Sequence, residues 1–266
     1  MNKEDFQKLI RQKGKELYRN MPWRSDTSPY YVLVSELMLQ QTQVERVVPK
    51  FNEFIKCFPT VTVLASASLS DVLTVWNGLG YNRRAKFLHE AAKKIVNDFG
   101  NVIPSTAEEL TSLPGVGANT AAAILAYSFN QPIVFIETNI RTVYFHHFFG
   151  DNQKVSDKEL HRIVEATLDY DHPRQWYQAL MDYGSYLKKQ GMGRINKSAH
   201  YKKQSLLKGS LREVRGQIIR TLTSGDMNET KLKTAIQADE RFDIALGGLI
   251  KDGLVGRTKT ILHLTK

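Results

Sequence analysis

Residues 113–121 read Leu-Pro-Gly-Val-Gly-Ala-Asn-Thr-Ala, a Pro-Gly-x-Gly turn followed by an alanine-rich segment. Such a turn leaves backbone N–H groups free at the positive end of the predicted helix, where a phosphate oxygen can bind. Glycines at positions 115 and 117 also allow the backbone to approach a phosphate closely. The stretch therefore predicts two helices joined by a phosphate-binding turn, with contacts from Gly115, Val116, Gly117 and Asn119. A plain tight turn between helices is the alternative.

The pattern around this turn is helical. From residue 5 to about 187, apolar side chains recur at helical spacing and the runs stop at Gly and Pro. Ser105 with Glu108 and Ser210 with Glu213 fit capping boxes at two helix starts. We expect a mainly α fold up to residue 187, with a six-helix subdomain near 28–127. A second subdomain would join the N-terminal helix to residues 128–187, with a DNA cleft between the two.

The composition changes after residue 187. Residues 188–208 carry seven basic side chains and no acidic one, which predicts a basic linker. Contact with phosphate and a merely solvated connector both remain open for this stretch. The residues that we expect to contact phosphate are Lys188, Lys189, Arg194 and Lys197.

The last segment, residues 209–266, has the pattern of a small separate domain. Helical spacing is followed from Leu211 to Leu222, from Thr230 to about Ala238 and from Asp243 to Asp252, and a two-stranded hairpin follows them. Three helices and a hairpin indicate a winged-helix-like domain. Its third helix and wing are the usual DNA contacts, although a protein-docking winged helix is the rival interpretation.

Charge and cysteine content restrict the function further. The 266 residues contain 37 Lys and Arg against 27 Asp and Glu, a formal charge of +10, which favours nucleic acid as a partner. Cys57 is the sole cysteine, so the chain has no internal disulfide and no Cys-ligated zinc or iron–sulfur site. We therefore expect no cofactor and no metal. We also expect no membrane partner, because no apolar run reaches the roughly 20 residues that span a bilayer. A cytoplasmic, nucleoid-associated monomer is expected.

Two carboxylates lie in settings that suit catalysis. Glu36 stands among leucines in the helical stretch 30–43, where desolvation would raise its pKa and make it a general acid. Glu137 ends the apolar run that begins at Ile133, at a predicted helix start, and could stabilise a sugar cation. We expect Glu36 and Glu137 to face each other across the cleft. The alternatives are that Glu36 is a buried acid paired to Arg24, Arg83 or Arg84, and that Glu137 or Thr138 only caps the helix.

Together these elements resemble the adenine-specific mismatch DNA glycosylases of the helix-hairpin-helix superfamily. The resemblance runs from Met21-Pro-Trp-Arg24 to about Gly184 and includes Ser35-Glu-Leu-Met-Leu-Gln-Gln-Thr-Gln-Val44, Trp76-Asn-Gly-Leu-Gly-Tyr81 and the turn at 113–117. The Glu-Leu-Met-Leu-Gln-Gln-Thr-Gln string is specific to this branch and distinguishes it from the endonuclease III branch. The resemblance implies a two-subdomain helix-hairpin-helix glycosylase fold for residues 1–187.

The resemblance also implies roles for individual residues. Glu36 matches the general acid that protonates the purine N7, and Asn139 matches a polar residue that orients the catalytic centre. Tyr81 matches an aromatic wedge inserted beside the lesion. The remaining positions that we expect to contact DNA are Arg24, Leu39, Gln40, Gln41 and Thr42, the last three of them beside the opposite guanine.

Three positions or segments depart from the family pattern. Glu137 stands where the family has Asp, which keeps the carboxylate but adds one methylene. The four-cysteine iron–sulfur loop expected after Gly184 is absent, and we expect the winged-helix-like segment to replace the family's domain for recognising 8-oxoguanine.

Asn119 occupies the position of the Schiff-base lysine of bifunctional relatives, so we expect no lyase activity.

The sequence therefore predicts a monofunctional DNA glycosylase in base excision repair, acting on double-stranded DNA that contains a mismatch or lesion. It would flip adenine mispaired with guanine or 8-oxoguanine out of the duplex. The alternatives are a glycosylase for thymine or uracil opposite guanine, and a non-catalytic DNA-binding regulator.

Overall fold

A computed structural model describes residues 1–149, 155–193 and 206–266, and these ranges are mainly helical. The helices and strands follow in chain order: α1 (Lys3–Glu16), α2 (Pro22–Ser25), α3 (Pro29–Leu39), α4 (Val44–Cys57), α5 (Val61–Ser66), α6 (Leu69–Trp76), α7 (Arg83–Asp98), α8 (Ala107–Thr111), α9 (Ala118–Phe129), α10 (Thr138–Phe148), α11 (Asp157–Thr167), α12 (Pro173–Lys189), α13 (Leu211–Leu222), β1 (Met227–Asn228), α14 (Glu229–Ala235), α15 (Phe242–Lys251), β2 (Val255–Thr258) and β3 (Ile261–Leu264). The predicted mainly α class is confirmed.

The chain forms two compact units. Unit 1 combines residues Met1–Val32, Ser105–Thr111 and Val116–Lys203, and unit 2 combines Leu33–Pro104, Ser112–Gly115 and Gln204–Lys266. The division into a domain 1–187, a linker 188–208 and a domain 209–266 stays a prediction.

Unit 1 is built around α12, which packs against α1, α9 and α10. Phe6 of α1 is fully buried, and its ring centroid lies 5.1 Å from that of Tyr144 and 5.8 Å from that of Trp176. A Cβ added at Gly14 would stand 2.6 Å from the Cβ of Ala179, so a glycine is what permits α1 to approach α12 so closely. Burial of these rings contributes the apolar area that stabilises the unit.

Unit 2 has an apolar core formed by α3 to α7. The Phe54 ring packs on Phe58 and Trp76 with centroid distances of 4.9 and 6.0 Å. In the same unit, β1, β3 and β2 form an antiparallel sheet in the order β1-β3-β2, with Val255 opposite Leu264. The helices α13, α14 and α15 and the hairpin follow in the predicted order, but β1 (Met227–Asn228), which the sequence analysis did not predict, lies between α13 and α14 and adds a third strand to the hairpin.

The two predicted capping boxes differ in detail from the structure. The box before α8 is shifted by one residue: Thr106 Oγ1 accepts a hydrogen bond from the Glu109 backbone N–H and donates to its carboxylate. At α13, Ser210 is the N-cap, but its hydroxyl donates to the Leu207 carbonyl. Both threonine and serine can satisfy the capping pattern, so the sequence pattern at 105–109 fitted two registers and the structure uses the second.

Among the helices that the structure describes, none is long and apolar enough to cross a membrane.

Candidate active site and DNA-contacting residues

Glu36 lies on α3, a helix with apolar residues on nearly every side. Its neighbours Leu33 and Leu37 are completely buried, while Glu36 itself is half-buried. A helix with apolar residues on all sides packs against other elements on all sides. Glu36 is therefore a carboxyl group with largely apolar surroundings, and its half-buried side chain keeps partial access to the solvent. This setting suits a general acid.

Arg84 of α7 secures the C-terminal end of α3. Its Nη1 donates to the carbonyls of Leu37 and Met38 at 2.8 and 2.7 Å, and its Nη2 donates to Thr42 Oγ1 at 3.0 Å. A cation is favoured at this negative end of the helix dipole. Burial lowers the pKa of Arg84 to about 10, so the guanidinium is still charged at neutral pH.

The corner after α3 and the turn before α7 share an unusual backbone conformation. Gln41 and Tyr81 have φ of 58° and 49°, the left-handed region that few residues other than glycine adopt. Such strained positions concentrate at functional sites. Gln41 is exposed, Tyr81 is half-buried, and the Arg84 guanidinium carbon lies 5.4 Å from the Tyr81 ring centroid. Both residues are ones that the resemblance places in the duplex.

Leu39, Gln40 and Thr42, which the resemblance also places at the DNA, are half-buried. The Gln40 amide donates to the Gly115 carbonyl at 3.3 Å, and Thr42 accepts its bond from Arg84. The side chains of Gln40 and Thr42 thus stabilise the corner after α3. Of the four residues 39–42, Gln41 is the most exposed.

The two glycines of the 113–117 turn differ in their surroundings. Gly115 has φ of 79°, and a Cβ there would lie 2.8 Å from the Cβ of Phe87, so packing requires glycine. Gly117 is the N-cap of α9, and a Cβ there would meet nothing within 4 Å. Open space at this helix start is what a phosphate needs. The Val116 side chain is buried, so only its backbone can contact a phosphate.

Glu137 is the N-cap residue of α10, but its side chain makes no capping hydrogen bond. The interpretation that its carboxylate only caps this helix is therefore wrong. Burial raises the pKa of the Glu137 carboxyl, and the Lys188 ammonium of α12 acts in the opposite direction. Glu36 belongs to unit 2 and Glu137 to unit 1, and the expectation that the two carboxylates face each other stays a prediction.

Asn119 and Asn139 are both placed around Glu137 within unit 1. The exposed Asn119 donates from Nδ2 to the carbonyl of Ile136, directly before Glu137, at 3.3 Å. Asn139 is the second residue of α10, and its buried Oδ1 has no hydrogen-bond partner among the described residues. A buried amide oxygen without a partner is costly unless a water or a substrate group donates to it.

Gly184 of α12 determines where Asn139 lies. A Cβ at position 184 would stand 2.2 Å from the Asn139 carbonyl oxygen, so α10 and α12 approach this closely only because residue 184 is glycine. The Asn139 amide points toward the Met181 sulfur, 3.8 Å away.

The prediction that Arg24 binds DNA is wrong. Its side chain is only 6% exposed, and its Nη1 lies 2.6 Å from the Asp182 carboxylate, to which Arg19 also donates at 2.6 Å. Asp182 is thus an anchor that the sequence analysis did not assign. Lys188 and Lys189 are exposed, whereas Arg194 and Lys197 lie outside the described residues.

No group of three or more His, Cys, Asp and Glu side chains within the described ranges is arranged to hold a metal. An iron–sulfur cluster of the kind that the resembled family carries needs four thiolates. The chain has one cysteine, Cys57, so its residues do not fit that group.

Solved structures of DNA glycosylases share this fold. A thermostable thymine-DNA glycosylase is similar with a TM-score of 0.64 and 25% identity, over 69% of this chain and 86% of that one. A trapped endonuclease III–DNA covalent intermediate is similar with a TM-score of 0.57 and 16% identity, over 77% and 90% of the two chains. The fold is therefore that of the helical DNA glycosylases.

Residues 34–168 match the HhH-GPD superfamily of base excision DNA repair proteins, and the chain belongs to this superfamily. The adenine DNA glycosylase of Mycobacterium tuberculosis strain H37Rv is 34% identical over 264 residues, covering 91% of this chain and 87% of that protein. The adenine DNA glycosylase of Buchnera aphidicola subsp. Baizongia pistaciae is 35% identical over 170 residues, covering 64% and 48%. The chain therefore spans about half the length of the Buchnera relative.

Proposed function

We propose that this protein is a DNA glycosylase that removes adenine mispaired with guanine or 8-oxoguanine. The observation that carries the proposal is Glu137, an acid that burial has made costly to ionise and whose side chain makes no capping hydrogen bond at the start of α10. A side chain held at such a cost without a capping role is a candidate for chemistry. The similarity to adenine DNA glycosylases supports the choice of base.

The proposed reaction begins with extrusion of the nucleotide from the duplex. Unstacking costs on the order of a few kcal/mol, and we assign Gln41 and Tyr81 to the space that the base leaves. Both positions have a left-handed backbone conformation, a costly conformation that is concentrated at functional sites. Backbone N–H groups beside Gly117, at the start of α9, would hold a phosphate.

Cleavage of the glycosidic bond is assigned to Glu36 in its protonated form. The carboxylic acid gives its proton to the adenine N7, and the electron pair of the C1′–N9 bond leaves with the base. A positioned general acid typically contributes a factor of about 10²–10⁴ in rate. This role requires a purine, because a pyrimidine has no N7.

Glu137 would act on the sugar. Its carboxylate opposes the positive charge that develops on C1′ and the ring oxygen. A water molecule then attacks C1′ and gives its proton to Glu137, or Glu137 itself bonds to C1′ and a water molecule, deprotonated by Glu36, hydrolyses the resulting ester, as paired carboxylates do in glycoside hydrolysis. The Asn139 Oδ1, which lacks a partner among the described residues, can accept a hydrogen bond from that water. The products are free adenine and an abasic site.

We further propose that the enzyme is monofunctional, a monomer and associated with the nucleoid. Asn119 carries an amide where a Schiff-base amine would be needed. No cofactor or metal takes part in the proposed steps, which use only carboxylates and water.

A glycosylase for thymine or uracil opposite guanine is the second candidate. The similarity to the thermostable thymine-DNA glycosylase favours it. A non-catalytic DNA-binding regulator is a weaker candidate, because carboxylates near phosphate reduce affinity and serve no binding purpose.

The test is single-turnover excision from labelled duplexes containing A:G, A:8-oxoguanine, T:G, U:G and matched pairs. The proposal predicts abasic product from the two adenine mispairs only, with the strand intact until alkali is added. Release of thymine or uracil would establish the second candidate. Tight binding without release of any base would establish the regulator.

A further inference from the structure

Half of the short loop between α6 and α7, residues 77–82, lies in the left-handed backbone region. Gly78, Gly80 and Tyr81 have φ of 99°, 74° and 49°. Glycine adopts this region freely, but Tyr81 carries a side chain and adopts it at a cost. A conformation of this kind persists only where the surrounding structure determines it. Groups outside the loop must therefore hold it.

Two side chains of the core hold the loop carbonyl directly before Tyr81. The Trp76 indole Nε1 and the Arg84 Nη2 donate to the Gly80 carbonyl at 3.2 and 3.1 Å. Trp76 and Arg84 are both buried. These two bonds thus connect the loop to the interior of unit 2.

Helix α4 holds the loop from the surface. The Arg46 Nη2 donates to the Gly78 carbonyl. Lys50, one turn further along α4, donates to the Val75 carbonyl at 3.4 Å, near the C-terminal end of α6. Cations are favoured at such an end, because the last carbonyls of a helix have no partner within it. Lys50 therefore caps α6, whereas Arg46 reaches beyond the helix to the loop itself.

The position of Arg46 brings two like charges close together. Burial lowers the pKa of Arg84, and the Arg46 charge acts in the same direction. Arg46 is also an exposed side chain, which would otherwise extend into the solvent away from Arg84. The two guanidinium groups repel each other, yet both are bonded to carbonyls of the same loop, at Gly78 and Gly80. The bond to Gly78 thus persists against a repulsion, which indicates that it serves the loop.

We propose that Arg46 is a positioning residue for Tyr81: its bond to the Gly78 carbonyl keeps the loop 77–82 in the left-handed conformation that presents the Tyr81 ring to the duplex. Arg46 acts through the loop and does not touch the extruded base. The proposal rests on the proposed function, in which Tyr81 is assigned to the space that adenine leaves. Without this bond the loop samples other conformations, and extrusion becomes less favourable, while the bonds from Trp76 and Arg84 maintain the fold.

Loop order and base extrusion are measured separately for wild type, Arg46→Met, Arg46→Lys and the control Arg83→Met. Hydrogen exchange of the peptide that covers residues 77–82 reports loop order in the free protein. For extrusion, 2-aminopurine opposite guanine replaces the target adenine, and its fluorescence rises when the base leaves the stack. The fluorescence is read at saturating protein, before base release, and thermal unfolding is recorded for each variant.

Arg83 is the matched control because it is the first residue of α7, at the end of the same loop, and is also exposed. Its Nε lies 3.7 Å from the Asp252 carboxylate, so its guanidinium is directed to Asp252. Arg83→Met removes the same charge as Arg46→Met and leaves the bond to Gly78 in place.

We expect faster exchange of the loop in Arg46→Met, with little change in Tm. Its equilibrium constant for extrusion should be about fivefold lower, the effect of losing one hydrogen bond. Arg46→Lys should restore both, because an ammonium can donate to the same carbonyl, as Lys50 does to Val75. Arg83→Met should match wild type.

Extrusion and loop exchange at the wild-type level in Arg46→Met would overturn the proposal. So would an equal loss of extrusion in Arg83→Met, because the effect would then come from charge near the DNA. If wild type did not extrude the base while loop exchange still depended on Arg46, the contact with the loop would be supported and the proposed function contradicted.

Discussion

The side-chain amide of Asn119 donates a hydrogen bond to the backbone carbonyl of Ile136, the residue immediately before Glu137. This contact connects the first turn of α9, which follows the proposed phosphate-binding turn, to the segment that carries Glu137. It also engages the amide of Asn119, the residue at the position where an amine would be needed for lyase chemistry.

Replacing Asn119 with Lys is expected to introduce covalent trapping. Wild type should give no adduct when borohydride is added during excision, because position 119 has no amine. The Asn119→Lys variant should give a reducible Schiff base, detected as a shifted protein–DNA band. Wild-type trapping at the level of the variant would contradict the monofunctional assignment.

The acidic limb of the pH–rate profile should depend on Lys188. Burial raises the pKa of Glu137, and the Lys188 ammonium opposes this rise. Removing that charge with Lys188→Gln raises the Glu137 pKa further, so less of the required carboxylate exists at a given pH. The acidic limb of the single-turnover rate should move to higher pH at saturating DNA.

Lys189→Gln is the matched control for this measurement, because it removes a neighbouring charge that does not act on Glu137. Its acidic limb should coincide with that of wild type. A common shift in both variants would mean that the effect comes from DNA binding rather than from Glu137.

Gly184→Ala should destabilise the protein and reduce excision. The added methyl would lie 2.2 Å from the Asn139 carbonyl oxygen, so α10 or α12 must move. Overpacking of this kind costs about 1–3 kcal/mol. Urea unfolding measures it, with Gly247→Ala as the control.

Gly247 lies within α15, and an added Cβ meets nothing within 4 Å. We expect this control to be neutral or to stabilise by up to about 1 kcal/mol. Equal stability of the two alanine variants would show that the contact between α10 and α12 is looser than described.

Arg84→Met should also be destabilising, although the volume is nearly kept. The carbonyls of Leu37 and Met38 would lose their donor, and a buried group left unsatisfied costs about 1–3 kcal/mol. The exposed neighbour Arg83 provides the comparison, since Arg83→Met should change the free energy of unfolding by about 0.5 kcal/mol or less. If Arg84→Met and Arg83→Met changed the free energy of unfolding by similarly small amounts, Arg84 would not stabilise the C-terminal end of α3.

The features that the sequence predicted well are local ones. The Pro-Gly-x-Gly turn, the helical class and the order of elements after residue 209 all follow from patterns spanning a few residues. The capping box at 105–109 shows the limit of this approach, because Ser105 with Glu108 and Thr106 with Glu109 fit the same pattern. Only packing selects between them.

The features that the sequence did not predict depend on distant partners. Arg24 was assigned to DNA, yet its partner Asp182 lies 158 residues further along the chain. Asp252 likewise meets Arg83 and Arg215 from separate helices. No local pattern distinguishes such an arginine from one that binds phosphate, since both are isolated cations in a basic chain.

The central claim is that two carboxylates carry out the excision, and their removal tests it most directly. The single-turnover rate on an A:G duplex is measured for Glu36→Gln, Glu137→Gln and the exposed control Glu165→Gln. The account predicts a loss of at least about a hundredfold in each of the first two, with DNA binding retained and the control unchanged. Excision at the wild-type rate by Glu36→Gln or Glu137→Gln would contradict the account.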